Sequence, residues 1–387
     1  MRIGVPKEIL KGEKRVAALP DTVARYVKMG FDVDVETDAG VGVYCSDQDY
    51  EKGGAHIVYK TEDIYAKSNI VLKVKQPWFN DSVGKHEVEM LKKGGVLITF
   101  LHPAAPANHD VIRMLKDRYV TSFTMDGIPR ISRAQKMDAL TSMSMISGYR
   151  SVLLTAINLP KLIPLVSTSL GTIKPANFLV VGAGVVGLQA IAVAKRLGGI
   201  IKVIDIREDA RKGAGSLGAK VAGFDVPAEF AVGEGDYAKA LPAEWLDKER
   251  AVIEPLVAEA DAVILSALVP GEIAPVLITE QMVRTMKPGS VVVDVSIDQG
   301  GNCALTEPGR EVVKHGVMII GAVNIPGSVP VHASWLYANN MANYIENLYK
   351  KGINGEPDWD DEIVKSSLVT HQGKILHAGT LKAMASN

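Results

Sequence analysis

Three glycines, Gly182, Gly184 and Gly187, at the spacing G-x-G-x-x-G give this chain its clearest chemistry. They follow the apolar run FLVV and open an Ala/Leu-rich helical run, after which a second apolar run, IKVID, ends at Asp205. Each position has a physical task. Gly182 makes a tight turn, Gly184 lets backbone amides approach a pyrophosphate at a helix N-terminus, and Gly187 lets that helix pack close to the sheet. Asp205 is an acceptor for a ribose 2′-hydroxyl. Strand, glycine turn, helix, second strand and acid in that order predict a dinucleotide site. Arg207 raises the question of a 2′-phosphate, but Asp205 would repel one, so NAD is the expected cofactor and a surface or adenine-facing arginine the plain alternative.

These residues lie mid-chain, so structure must be built on both sides of them. A chain of 387 residues is long enough for two domains of about 100–200 residues each. Net charge is −1, which gives no electrostatic case for nucleic acid or an acidic membrane surface. Cys45 and Cys303 are too few for a disulfide framework and suit a reducing cytoplasm. The start, MRIGVPKEI, has no apolar core of a signal peptide, and no run reaches the ~20 apolar residues of a membrane span. The histidines and cysteines show no metal-ligand spacing, so no metal is expected.

RIGVP, FDVDVET, NIVLKVK and GVLITFL read as strands, and LPDTVARYVKMG and HDVIRMLKDR as helices. That alternation predicts a parallel, doubly wound sheet whose ligands bind beyond the carboxyl ends of its strands. A long helical stretch, MDALTSMSMISGYRSVLLTAINLPKLIP, precedes the fingerprint, and a second, HASWLYANNMANYIENLYKKG, follows the runs DAVILSAL, GSVVVDVS and VMIIGAVN. The expected fold is α/β: two doubly wound, parallel-sheet, Rossmann-like domains linked by the two long helices. The first is discontinuous, 1–140 and 323–387, and carries substrate and catalysis; 141–322 binds NAD(H). The segment DVPAEFAVGEGDYAKALPAEWLDKER, around Tyr237, reads as a lid or surface flap, and the chain's end as a short polar tail.

Over nearly its whole length the chain resembles the family of alanine dehydrogenase and the NAD(H)-binding alpha subunit of proton-translocating nicotinamide nucleotide transhydrogenase. VPKE…GEKRVAALP and GAGVGVY are shared by both branches. PRISRAQKMDAL resembles the transhydrogenase loop at the nicotinamide end, which implies cofactor contacts from Arg130, Gln135 and Asp138; GGNCALTEPG and the segment around Tyr237 also look like that branch. VLKVKQP, ITFLHPAA and DVSIDQGG look like the dehydrogenase and carry Lys75, His102 and Asp298, as do the pair Met143-Ser144 and NIPGSVP. The resemblance further implies cofactor contacts from Val185, Ala267, Leu268 and Val269, and substrate contacts from Met143, Ser144 and Asn324. It also implies a homo-oligomer, a dimer or a hexamer built from dimers, or else membrane transhydrogenase subunits as partners.

Oxidising an amino acid at Cα requires a clamp for the carboxylate, a base for the amine proton, and a path for hydride to the nicotinamide. Arg15 suits the first as a bidentate guanidinium, with Lys75 as a second cation. His102 brings an imidazole, the side chain type best suited to acid–base work near neutral pH. Asp298 could orient the amine or the attacking water. A cleft between the two domains would bring these groups together. Each also has a plain structural reading: surface cations for Arg15 and Lys75, a satisfied histidine before Pro103, and a turn cap before Gly300-Gly301 for Asp298. The expected reaction is reversible, NAD-dependent deamination of a small L-amino acid, L-alanine to pyruvate; the alternative is the transhydrogenase subunit, with hydride passing to NADP on a partner.

Overall fold

β-Branched runs alternate with amphipathic helices through most of the chain, and the computed structural model folds them into two compact units; it describes residues 1–233, 238–269 and 273–385. One unit is Met1–Met143 with Gly327–Asn387, the other Ser144–Pro326.

The first unit has an eight-stranded sheet in the order Lys374–Ile375, Leu368–His371, Thr121–Thr124, Val96–Thr99, Ile70–Leu72, Arg2–Val5, Asp32–Glu36, His56–Val58. The six strands from Thr121–Thr124 to His56–Val58 are mutually parallel. After Arg2–Val5 the chain steps outward twice, then crosses back to place Ile70–Leu72 on the other side of the first strand. That reversal opens a crevice beyond the carboxyl ends of Arg2–Val5 and Ile70–Leu72, the usual ligand position in such sheets. Helix Pro330–Leu348 packs with this unit through fully buried Tyr337 and Tyr344.

The second unit has a seven-stranded sheet in the order Lys220–Val221, Ile200–Ile204, Asn177–Val181, Ala262–Leu265, Val291–Asp294, Val317–Ile320, Glu311–Lys314. All neighbours are parallel except the last pair. Its switch point lies between Asn177–Val181 and Ala262–Leu265. The central strands are close to continuously apolar because both faces are covered: Val180, Val203, Ile264 and Val293 pack on one side, and Leu179, Ile204, Val263 and Val292 on the other.

The α/β expectation stands, with three corrections. The chain's end is more than a polar tail: Leu368–His371 and Lys374–Ile375 extend the first sheet antiparallel, burying Leu368, Val369 and Thr370. The first long helix stops at Asn158, ahead of Pro160, which disfavours helical backbone before it. The flap segment is partly helical: PAEWLDKER leads into helix Ala243–Glu259, where Trp245 packs its ring on Phe224 and Phe230. Tyr237 lies outside the described residues. Among the described residues no helix is long and apolar enough to cross a membrane.

Candidate active site

The fingerprint glycines meet the geometry their spacing demands. Gly182 sits at φ 89°, and a methyl there would lie 2.9 Å from the Ala267 nitrogen. A methyl on Gly187 would lie 1.9 Å from the Gly182 carbonyl oxygen, so helix Val185–Arg196 packs on the turn with no room for a side chain. Gly184 is the cap residue of that helix, and the nearest atom to a methyl there is Nη2 of Arg207, 3.8 Å away. Its surroundings are open where the helix N-terminus offers unpaired amides, beginning with that of Val185. A cradle closed by backbone on two sides and open at the helix end fits a pyrophosphate.

Asp205, at the end of Ile200–Ile204, is buried. It accepts the Ala183 N–H (2.7 Å) and the Arg207 N–H (2.8 Å), and the Arg207 guanidinium closes on both its oxygens at 3.1 and 3.0 Å. Arg207 is thus the counter-ion of Asp205, and any ribose hydroxyl donating there would share that carboxylate with it. Ala267 and Leu268 follow Ala262–Leu265 half-buried, and Val269 is buried.

A second carboxyl stands behind this site. Glu249, on helix Ala243–Glu259, is buried, and its pKa is pushed up to about 7 by burial first and by the nearby Asp205 charge second, against the pull of Arg250. The folded pKa exceeds the unfolded one, so this group's contribution to stability is complete below about pH 4.5 and is lost as pH rises through about 7. Glu249→Gln is expected to leave the melting temperature unchanged near pH 4.5 and to raise it by several degrees at pH 8, a difference of up to about 3 kcal/mol read from melting curves across that range.

In the first unit, Arg15 is buried and bound bidentately by Glu13: Nε donates to Oε1 at 2.8 Å and Nη2 to Oε2 at 2.6 Å. The Glu13 carboxylate has no exposed surface; burial pushes its pKa up, but the Arg15 hydrogen bonds and charge and the nearby Lys75 outweigh this and hold it below the usual range. Arg15 Nη1 donates to Sδ of Met143 at 3.1 Å, a weak acceptor. Lys75 follows Ile70–Leu72; its carbonyl accepts from the Thr99 hydroxyl at 2.9 Å. The neighbouring Val74 N–H donates to Glu8 at 2.6 Å, and Glu8 also pairs with fully buried Lys73 at 3.3 Å, which reaches Glu87 at 2.9 Å.

His102 follows Val96–Thr99 and holds a left-handed backbone, φ 43°. Its Nδ1 lies 2.9 Å from Asp126, whose other oxygen accepts the His102 backbone N–H at 2.7 Å and the Thr124 hydroxyl at 2.5 Å. Burial raises the Asp126 pKa, yet the His102 charge and these hydrogen bonds carry it below the ordinary value, so it stays a carboxylate. The imidazole is half exposed and stacks on Phe100, which packs on Tyr337; the Tyr337 hydroxyl donates to the Lys73 carbonyl at 2.8 Å. An anchored, accessible imidazole beside a fixed carboxylate is equipped for proton transfer.

The other expected residues are more dispersed. Arg130 and Gln135 are exposed, and Asp138 spends its carboxylate capping helix Ala139–Asn158, accepting from the Thr141 N–H (2.8 Å) and hydroxyl (2.7 Å). Asp298, half-buried Ser144 and half-buried Asn324 (φ 48°) belong to the second unit. Asp298 is exposed in the turn Ile297–Gln299 and makes no hydrogen bond with a described residue. The acid that organises its loop is instead Asp294, fully buried, which accepts from Ser296, Asn302, Cys303 and Thr306.

Family models for the N-terminal and C-terminal domains of alanine dehydrogenase/PNT match residues 4–147 and 151–378. The chain belongs to the alanine dehydrogenase/PNT family. Members of this family are NAD-dependent oxidoreductases. An NAD(P) transhydrogenase alpha-subunit chain of Rhodospirillum rubrum is 42% identical over 97% of this chain and 98% of its own. A solved transhydrogenase from Sinorhizobium meliloti matches with TM-score 0.82 and 34% identity over 98% of this chain and 99% of its own. A solved L-alanine dehydrogenase has the same TM-score, 0.82, with 29% identity over 100% of this chain and 99% of its own. The backbone therefore serves both branches of the alanine dehydrogenase/PNT family equally, while overall identity favours the transhydrogenase side.

Proposed function

We propose that this NAD-dependent oxidoreductase deaminates a small L-amino acid, L-alanine first, to its keto acid, reversibly. One observation carries the reading: Arg15 and Lys75 follow the switch-point strands of the first sheet, and His102, braced by Asp126, follows the next strand over. A substrate carboxylate is a stronger acceptor than the Met143 sulfur that Arg15 Nη1 now meets, and Lys75 supplies a second cation. Glu13 keeps the guanidinium plane fixed while this happens. His102 takes the amine proton, with the imidazolium balanced by Asp126. Asp298 serves the amine or the attacking water. Gly182, Gly184 and Gly187 with Asp205 hold NAD, Arg130, Gln135 and Asp138 its nicotinamide end, and bound NAD supplies the hydride acceptor. Substrate is further shaped by Met143, Ser144 and Asn324. The enzyme works as a cytoplasmic homo-oligomer. NADH formation from NAD with a panel of L-amino acids at mildly alkaline pH tests this; tight NADH binding without turnover on any of them overturns it.

A second reading has its own support in the 42% identity to the Rhodospirillum rubrum subunit. In it the chain is the NAD(H)-binding alpha subunit of a transhydrogenase and passes hydride to NADP on a membrane-associated partner. Activity indifferent to His102→Ala and Lys75→Ala favours that reading.

A further inference from the structure

Beyond Leu265 and Asp294 the second sheet's central ladder ends, and the residues that follow must satisfy their backbone groups without a further strand residue filling the crevice. Ala267 does so through one side chain. The Asn302 carboxamide accepts the Ala267 N–H at 2.9 Å and donates to the Ala267 carbonyl at 2.8 Å, as a neighbouring strand would. Its remaining N–H goes to the Pro275 carbonyl at 2.8 Å. Asn302 is fully buried and is itself fixed: its backbone N–H donates to Asp294 at 2.9 Å, and its carbonyl accepts from Leu277 and Ile278 at 2.8 and 2.9 Å. Ala267 in turn backs the fingerprint, since its nitrogen would touch any methyl on Gly182, and the preceding Ser266 hydroxyl donates to the Gly182 carbonyl at 3.0 Å.

We propose that Asn302 is a positioning residue of the nucleotide site, whose carboxamide sets the backbone of Ala267 and hence the wall that closes on the Gly182 turn. The inference rests on the dinucleotide reading of that turn. It assigns work to GGN that neither the fingerprint nor Asp298 performs. Asp294 holds Asn302, Asn302 holds Ala267, and Ala267 and Ser266 hold the turn. A defect in the carboxamide is therefore felt as lost nucleotide affinity as well as lost packing.

The test is titration of the full chain with NADH, followed by fluorescence, at pH 6 and pH 8.5 for the unsubstituted protein, N302D and N302L, with melting temperatures alongside. N302L takes their shared partner from one N–H and two carbonyls of the half-buried Ala267 and Pro275 and should weaken NADH binding about tenfold. N302D keeps the acceptor but, when ionised, loses both donors. Its affinity relative to the unsubstituted chain should be poor at pH 8.5 and recover at pH 6, as the introduced carboxyl takes a proton and donates again. That pH-dependent ratio is not expected of a residue that only holds the fold, and it decides the matter even if N302L fails to fold. Variants that bind within about twofold of the parent at both pH values, whatever their melting temperatures, overturn the proposal. A parent chain that binds no NADH instead refutes the dinucleotide reading, and this inference with it.

Discussion

Gly187→Ala should cost the protein its nucleotide site, lowering the melting temperature and weakening NADH binding by about tenfold or more. The added methyl would sit 1.9 Å from the Gly182 carbonyl oxygen and 3.3 Å from Val180. Backbone cannot swing aside as a flexible side chain can, so the helix must lift from the strand–helix turn. Overpacking of this kind costs about 1–3 kcal/mol or more, and the displaced helix no longer aims its first amides at the pyrophosphate. Gly184→Ala is the informative partner. Its nearest obstacle is 3.8 Å away, so the fold should keep its melting temperature. The methyl nonetheless stands where the phosphate must approach, and NADH affinity should still fall. Calorimetric melting and NADH titration of the two variants separate the packing glycine from the ligand glycine. Equal behaviour of the pair would contradict these assignments.

His102→Ala should lower NAD-dependent turnover by about 100- to 10,000-fold while leaving NADH affinity within about threefold, because proton transfer by a positioned group contributes on that scale. The imidazole is held from two sides, by Asp126 at Nδ1 and by the stack on Phe100. Asp126→Asn should therefore also be impaired, by a smaller factor, because it removes the charge that supports the imidazolium yet keeps a side chain of the same shape. Steady-state rates with amino acid and NAD, beside NADH titrations, measure both. Unaltered turnover in His102→Ala would remove the acid–base group from the mechanism.

The fingerprint is legible in the sequence because its constraints are local: a tight turn, an open helix end and a close helix each require glycine within six consecutive residues. Lys75 is legible as a cation at a strand end, and Arg15 as a guanidinium in the GEKR run that both branches share. Their buried counter-ions are not, since nothing in GEKR says that Glu13 folds back on Arg15 with both oxygens. Asp126 is hidden for a different reason. It lies 24 residues beyond His102 and reaches it only because Val96–Thr99 and Thr121–Thr124 are parallel neighbours, with Thr99 opposite Thr124. The usable signal is the rule that residues just past adjacent parallel strands share a crevice. It is masked in VTSFTMD, whose hydroxyl side chains disguise the strand. In DVSIDQGG the exposed Asp298 draws attention, whereas the loop is built by Asp294, still inside the strand, where an acid looks out of place until its four partners are seen. The terminal LVTHQGKI is too short and polar to announce itself, and it becomes strand only because Thr121–Thr124 offers it an open edge.

The most direct measurement follows NADH oxidation at about 340 nm, where the reduced nicotinamide absorbs, by the purified chain alone with pyruvate, in the presence and absence of ammonium. Oxidation is expected to require both ammonium and the keto acid, to be lost in His102→Ala, and to need no other protein. No oxidation under those conditions, with hydride transfer to NADP appearing once an NADP-binding partner subunit is added, would contradict the dehydrogenase reading and give the chain to the transhydrogenase branch.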